Sequence, residues 1–366
     1  MNFDFSDDAK ALRDQARRFL DERAGPKVAR AAMVSDAPYD TMLWNAIVEL
    51  GWPAARVPEA HGGLGLGPDE ACVLAEEIGR SLAPVPFMST LLATEALILA
   101  GSHEQQAKWL PGIAAGSLIA CTGWAEGNAA SPATAAAKVS GDRITGIKVP
   151  IADLTAADIA VVSAVGPDGV QLYLIDLTDP GITREAQETL DLVRRHGRLT
   201  LTNAPAQPLG TPGDYQDWLD RAAVLSAFEA LGTGTAAMDM TVAYAKERTA
   251  FGQKIGRYQG VKHKCADMYI KLELARAHAL HGAFAMQDGG GELRQAASAA
   301  RVASLDALGY CAEETVQLHG GIGFTWESDC QFYYRRNRAL VAGLGAKSWW
   351  ADRLVRTLER RNAVAA

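Results

Sequence analysis

Glu247-Arg248-Thr249-Ala250-Phe251-Gly252-Gln253-Lys254-Ile255-Gly256-Arg257-Tyr258-Gln259 and Gln317-Leu318-His319-Gly320-Gly321-Ile322-Gly323-Phe324 are the two stretches whose joint reading decides the fold. Each sits beside a long helical pattern. The first puts a guanidinium, Arg248, at the end of one helix and an amide, Gln259, at the start of the next. The second puts another amide, Gln317, ahead of a glycine turn that exposes backbone N–H groups. Taken singly, Arg248 reads as a helix-capping surface arginine and the glycines as a left-handed helix terminus. Taken together, they suit the phosphates and purine of a dinucleotide.

Working outward, residues 214–366 read as helix in long pieces. One helix is expected from Asp214 to Lys246. The next carries Cys265, Met268, Leu272, Ala275, Ala279 and Met286, mostly at spacings of three and four. A third carries Val302, Leu305, Leu308, Ala312 and Val316, and a last runs from about Gly345 to Arg360. Four long helices with short links predict an antiparallel bundle. Gly289-Gly290-Gly291 is a link, since no strand precedes it to make a phosphate loop.

Residues 117–213 differ in texture. Arg143-Ile144-Thr145, Ile159-Ala160-Val161-Val162, Val170–Ile175 and Leu199-Thr200-Leu201 are short β-branched runs. Gly141-Asp142 and Gly166-Pro167-Asp168-Gly169 are hairpin turns between them. A small antiparallel β domain is predicted. Residues 1–116 return to helix: Ser6-Asp7-Asp8 caps a first one, and others fit Tyr39–Leu50, Asp69–Ile78 and Pro86–Ala100. Stops are expected at Gly51, Gly79 and Gly101. The glycines of Gly62-Gly63-Leu64-Gly65-Leu66-Gly67 follow Pro58-Glu59-Ala60-His61 rather than a strand, so they read as a turn and not as a Rossmann fingerprint. The fold class is therefore mainly α with a small β domain between helical ends.

With 366 residues and 48% hydrophobic content, the chain can bury a large core across two or three domains. Its net charge of −7, with no dense Lys/Arg block, argues against nucleic-acid binding. No apolar run suits a membrane span, and the acidic start lacks the pattern of a signal peptide, so a cytoplasmic location is expected. Cys72, Cys121, Cys265, Cys311 and Cys330 are far apart and share no ligand spacing with the histidines. They read as buried, reduced thiols, and no metal site is expected.

The pattern Arg-x-x-Phe-Gly-x-x-Ile-x-x-Tyr-Gln, continuing into Lys264-Cys265-Ala266-Asp267-Met268, resembles a signature of the acyl-CoA dehydrogenases. Gln-x-x-Gly-Gly-x-Gly-Phe, followed by Glu327 and Tyr333-Tyr334-Arg335, resembles a second. Val57-Pro58-Glu59 with Gly62-Gly63-Leu64-Gly65 resembles a third. The resemblance covers nearly the whole chain and implies a helical domain, a small β domain and a four-helix bundle. It also implies FAD lying across a dimer interface, its ring held by one subunit and its nucleotide end by the neighbour's bundle. On that basis Arg248 and Gln259 contact the pyrophosphate and adenylate, and Phe251 packs near the adenine. Gln317, Leu318, His319, Gly320 and Gly321 close around the same end.

Two parts of the family pattern are missing. Where relatives carry a catalytic Glu after an Arg-Asp-Ala segment, this chain has Arg336-Asn337-Arg338-Ala339-Leu340-Val341-Ala342-Gly343-Leu344-Gly345-Ala346-Lys347, with no carboxylate. The alternative helix position holds Thr249. The flavin loops are replaced by Trp124-Ala125-Glu126-Gly127-Asn128-Ala129-Ala130-Ser131 and Pro150-Ile151-Ala152-Asp153. No catalytic residue is assigned; Glu247, and after it Glu126, would be the carboxylate in a homotetramer with a relocated base. The resemblance instead implies the non-catalytic subunit of an α2β2 heterotetramer of the steroid side-chain type. A homologous catalytic subunit would be its partner, an acyl-CoA the substrate and an electron-transfer flavoprotein the acceptor. A structural subunit with vestigial FAD contacts is the remaining alternative.

Overall fold

The computed structural model describes residues 4–127, 131–289 and 291–365. The N-terminal helices are α1 (Asp7–Arg23), α2 (Pro26–Met33), α3 (Thr41–Glu49), α4 (Pro68–Ser81), α5 (Phe87–Ala100) and α6 (His103–Ala114). Ser6 caps α1 as expected, its hydroxyl accepting from the Ala9 N–H at 3.1 Å. The unforeseen α6 begins at a reciprocal capping box between Ser102 and Gln105. Helix α5 is apolar nearly all round, and it is buried between the other helices and the sheet.

The middle region forms β1 (Ala120–Gly123), β2 (Lys138–Ser140), β3 (Arg143–Ala152), β4 (Ile159–Gly166), β5 (Gly169–Asp176), β6 (Ile182–Gln187), β7 (His196–Pro205) and β8 (Gln207–Leu209). The path β6-β7-β3-β2-β4-β5-β8 makes one sheet, with β1 alongside β4. Both hairpin turns stand where expected: Gly141 between β2 and β3, and the Gly166–Gly169 turn between β4 and β5. The sheet departs from a purely antiparallel one. β1 runs parallel to β4, from Ala120 opposite Ile159 to Gly123 opposite Val162, and β2 meets β4 in parallel at Lys138 and Val165. Neither pair is joined by a hairpin, so nothing in the local turn chemistry sets their direction.

The C-terminal helices are α7 (Pro212–Glu247), α8 (Gln259–Asp288), α9 (Leu293–His319), α10 (Cys330–Gly343) and α11 (Lys347–Ala365). The four expected helices are present, and α10 is a fifth. Its sequence signal is weak, because Arg335, Arg336 and Arg338 dilute its apolar positions. Two of those arginines make polar contacts across the fold: Arg335 with the Leu190 carbonyl and Arg336 with Asp191.

Gly79 does not stop α4, which continues to Ser81. It is a packing glycine: a Cβ there would lie 2.1 Å from the Glu229 carbonyl oxygen on α7. Its counterpart Gly232 would bring a Cβ to 1.8 Å from the Glu76 carbonyl oxygen. The two glycines let α4 and α7 approach at backbone distance and fix the N-terminal helices on the bundle.

Candidate functional site

The end of α7 and the turn after α9 enclose a cleft of about 470 Å³, lined by Tyr244, Arg248, Ile255 and residues 317–322. Six of the eight expected binding residues meet here: Arg248, Gln317, Leu318, His319, Gly320 and Gly321. Among the described residues the Arg248 guanidinium and the Gln317 amide have no protein partner, and both are exposed. Gly320, with φ 64°, and Gly321 have nothing within 4 Å of a built Cβ, so their backbone faces open space. His319 is held beneath, its Nδ1–H donating to the Thr315 carbonyl at 2.7 Å. Tyr244, which sequence reading missed, stacks on His319 with centroids 4.2 Å apart. Its signal was spacing alone, one helical turn before Arg248.

Phe251 and Gln259 stand outside the cleft. Residues 249–254 form a small antiparallel ladder, β9 (Thr249–Ala250) and β10 (Gln253–Lys254), with Phe251 and Gly252 in the turn. Both have positive φ, 50° and 83°, which a two-residue hairpin of the primed type requires. A phenylalanine in that conformation carries strain of about 1–3 kcal/mol, and the residue is 97% exposed. The Tyr258 hydroxyl holds the turn by donating to the Ala250 carbonyl at 3.0 Å. Gln259 is exposed at the first position of α8.

A second, more enclosed cavity of about 260 Å³ gathers the segments expected to stand in place of the redox parts. Trp124, Ala125 and Pro150, from the segments expected at the flavin loops, line it, with Gly343 and Leu344 from the 336–347 segment. Asn128, Ala129 and Ala130 of the first loop lie outside the described residues. The Trp124 indole donates to the Gly343 carbonyl at 2.6 Å. Among the described residues two carboxylates line the cavity, and both are paired. Asp191 accepts from Arg336 Nε at 2.5 Å, and Glu229 accepts from Arg194 at 2.5 Å and Arg336 at 3.5 Å. Burial pushes the Asp191 carboxyl up, but Arg336 and Arg194 outweigh it and hold the group below its ordinary range. A base needs the opposite, a carboxylate tuned upward and free to take a proton. His196 is also in the lining; burial lowers its pKa to about 4, so it is neutral.

The two fallback carboxylates lie elsewhere. Glu126 accepts from Lys148 Nζ at 2.6 Å and from the N–H groups of Ala137, at 2.9 Å, and Ala136. Burial raises its pKa, yet these donors together hold it below the ordinary value. Lys148 is fully buried, so Glu126 is its counter-charge. Glu247 is exposed at the end of α7, on a shallow groove with Met238 and Lys246.

A family model described as "Acyl-CoA dehydrogenase, N-terminal domain" matches residues 6–117, and one described as "Acyl-CoA dehydrogenase, C-terminal domain" matches residues 215–358. The chain belongs to the acyl-CoA dehydrogenase family. The acyl-CoA dehydrogenase IpdE2 of Mycolicibacterium smegmatis is 32% identical over 341 residues, 93% of this chain and 95% of that protein. Benzylmalonyl-CoA dehydrogenase of Aromatoleum aromaticum is 30% identical over 94% of this chain and 96% of its own length. Among solved structures, the Tcur3481-Tcur3483 steroid ACAD superposes with a TM-score of 0.92 at 33% identity, covering 97% of this chain and 99% of that one. The ChsE4-ChsE5 complex from Mycobacterium tuberculosis shares the fold, with a TM-score of 0.91 at 24% identity over 98% of this chain and 99% of its own.

Acyl-CoA dehydrogenases are FAD-dependent flavoproteins, as expected from the sequence. The open cleft fits the nucleotide end of FAD: a free guanidinium, a free amide and an uncovered glycine turn answer a diphosphate. The more enclosed cavity does not fit the ring end. Trp124, only 5% exposed, commits its indole to Gly343, and Pro150 has no N–H to offer.

Proposed function

We propose that this chain is the nucleotide-gripping subunit of a heteromeric acyl-CoA dehydrogenase that oxidises a CoA thioester across its α,β bond. A homologous partner carries the flavin loops and the catalytic Glu. FAD, when bound, supplies the hydride acceptor for α,β-dehydrogenation, with an electron-transfer flavoprotein as the next carrier. This chain contributes charge and direction. Arg248 neutralises the diphosphate, and Gln317 and Gln259 orient the adenylate end. The Leu318–Gly321 backbone closes around it, with His319 packed beneath. Phe251, strained and exposed at its hairpin tip, would pack against the adenine from outside the cleft.

One observation carries this reading. The cleft expected to hold the nucleotide is open and its donors are free. In the cavity lined by the segments expected to carry the redox parts, both carboxylates are tied to arginine and the Trp124 indole is committed to the Gly343 carbonyl. The likeness to the Tcur3481-Tcur3483 steroid ACAD supports a two-chain assembly and a bulky acyl group. The test is expression of the chain alone and beside a homologous partner. The assembly is expected to hold half as many FAD as chains and to turn over, and the lone chain to hold little. Full FAD occupancy with turnover in the lone chain would refute the proposal.

A further inference from the structure

The glycine turn of the open cleft runs on into residues 321–329, a segment that does little to anchor itself. Ile322, Phe324 and Trp326 are each more than half exposed, and within the segment only Gly323 is buried. Its hydrogen bonds are mostly local: Thr325 donates to the Ile322 carbonyl, Ser328 to the Thr325 carbonyl and Gln331 to the Trp326 carbonyl. Among the described residues, one side chain from elsewhere in the fold donates to it.

That side chain is Arg30 on α2. Its Nη1 donates to the Trp326 carbonyl at 2.5 Å, and its Nη2 to the Glu327 carbonyl at 3.2 Å and to Asp329 Oδ1 at 2.6 Å. The same guanidinium lies over the buried Phe332 ring, 5.1 Å from its centroid. Two carbonyls, a carboxylate and a ring face use the planar fork of an arginine, which a lysine cannot copy. The helix behind it is fixed. Ala29 is fully buried, the Gly25 N–H donates to the Ser81 carbonyl at 3.0 Å, and Arg195 donates to the Ala32 carbonyl at 3.0 Å. On its near side the turn is pressed on α9, where a Cβ on Gly323 would lie 2.4 Å from the Val316 carbonyl oxygen. So α9 holds one end of the turn and Arg30 the other.

Both members of the Arg30–Asp329 pair are at least a third exposed, so the pair adds little to global stability. A segment with few buried apolar contacts opens locally at low cost, however, and there a few hydrogen bonds set the population of one conformation. A ligand that needs that conformation binds in proportion to its population.

We propose that Arg30 is a positioning residue for the nucleotide: it latches residues 326–329 to α2 and keeps the Gly320–Gly321 turn in the shape that opens its backbone to the cleft. The proposal rests on the nucleotide reading of that cleft and adds the contact, carried by the N-terminal helices, that sets its affinity.

Fluorescence titration of the apo assembly with FAD, paired with hydrogen exchange, tests it. Arg30→Met is expected to weaken FAD about five- to tenfold, as for a turn that is competent roughly a tenth to a fifth of the time. Its melting temperature should hardly move. Amides of residues 320–329 should exchange faster, and those of α1 and α4 should not. Arg30→Lys should recover only part of the affinity. Arg248→Ala separates the two readings. If it weakens FAD and Arg30→Met does not, the latch is refuted and the cleft stands; if neither weakens FAD, both are refuted. Weaker FAD with unchanged exchange at 320–329, or with faster exchange throughout the N-terminal helices, would also overturn the latch. Should Arg30→Met fail to fold, Asp329→Ala decides: faster exchange at 320–329 together with weaker FAD upholds the latch, and no change in either refutes it.

Discussion

The Trp124 indole donates to the Gly343 carbonyl 2.6 Å away, joining the loop after β1 to the end of α10 across 219 residues of chain. Trp350 does the same for the next carbonyl, Leu344, at 2.6 Å. Two indoles thus anchor consecutive carbonyls, Gly343 and Leu344, at the end of α10. The loop after β1 and the start of α11 hold the end of α10 in place from two sides.

Trp124→Phe is expected to lose this bond and leave the Gly343 carbonyl without its donor. The cost should be about 1–2 kcal/mol, typical of a buried hydrogen bond removed from one side. Urea unfolding reads it as a lower midpoint at unchanged slope. An unshifted midpoint would mean that the indole contributes packing alone.

Arg248→Ala tests the open cleft. The guanidinium is exposed and has no partner among the described residues, so the melting temperature should hardly move. FAD affinity of the assembly is expected to fall roughly 10- to 100-fold, the range of a charge-assisted contact to a phosphate. Arg248→Lys should recover part of the loss, because it keeps the charge but not the planar fork. FAD retention equal to wild type in dialysed Arg248→Ala assembly would leave the cleft without a nucleotide role.

Much of this architecture was legible because local rules and tertiary demands coincide. Ser6 caps, Gly141 turns and the Met268–Met286 stripe faces the core, though Cys265 at its start is only half-buried. Legibility failed where a residue answers to a distant neighbour. Gly79 looks like a helix stop, yet it is small because the Glu229 carbonyl on α7 passes beside it. Arg336 dilutes the apolar pattern of α10 because it balances Asp191, 145 residues away. The cleft was readable because its residues come in two compact motifs. The latch of Arg30 was not, because nothing in α2 signals an acceptor 299 residues away.

The α4–α7 crossing gives a sharp contrast among glycines. Gly79→Ala and Gly232→Ala would each drive a Cβ into a backbone carbonyl, at 2.1 and 1.8 Å, and neither helix can yield without moving the domain. Each is expected to cost about 3 kcal/mol or more, at the upper end of overpacking. Gly260, in the first turn of α8, has nothing within 4 Å of a built Cβ. Gly260→Ala should be neutral or stabilise by about 0.4–1 kcal/mol. Thermal unfolding of the three variants side by side checks the order, and equal melting temperatures would contradict the close approach.

Asp153 makes stability depend on pH in a direction that can be isolated. Burial raises its carboxyl from 3.8 to about 6, against the pull of Arg194, the Ser89 hydroxyl and Arg336, and with Glu229 adding to the rise. A raised carboxyl binds its proton more tightly folded than unfolded, so its contribution is full below pH 3.8 and is lost as pH rises through about 6. Above that, holding the ionised group costs on the order of 3 kcal/mol. His196 works the other way: its pKa falls from 6.5 to about 4, so its contribution is present above 6.5 and lost as pH falls toward 4. The two trends oppose each other in the wild type, and only a difference separates them. Asp153→Asn removes the first and leaves the second. It is expected to be more stable than wild type at pH 7.5, with the gap closing as pH drops from about 6 toward 4. Urea midpoints across that range measure it, and a gap constant with pH would show that Asp153 ionises in the fold as easily as in the unfolded chain.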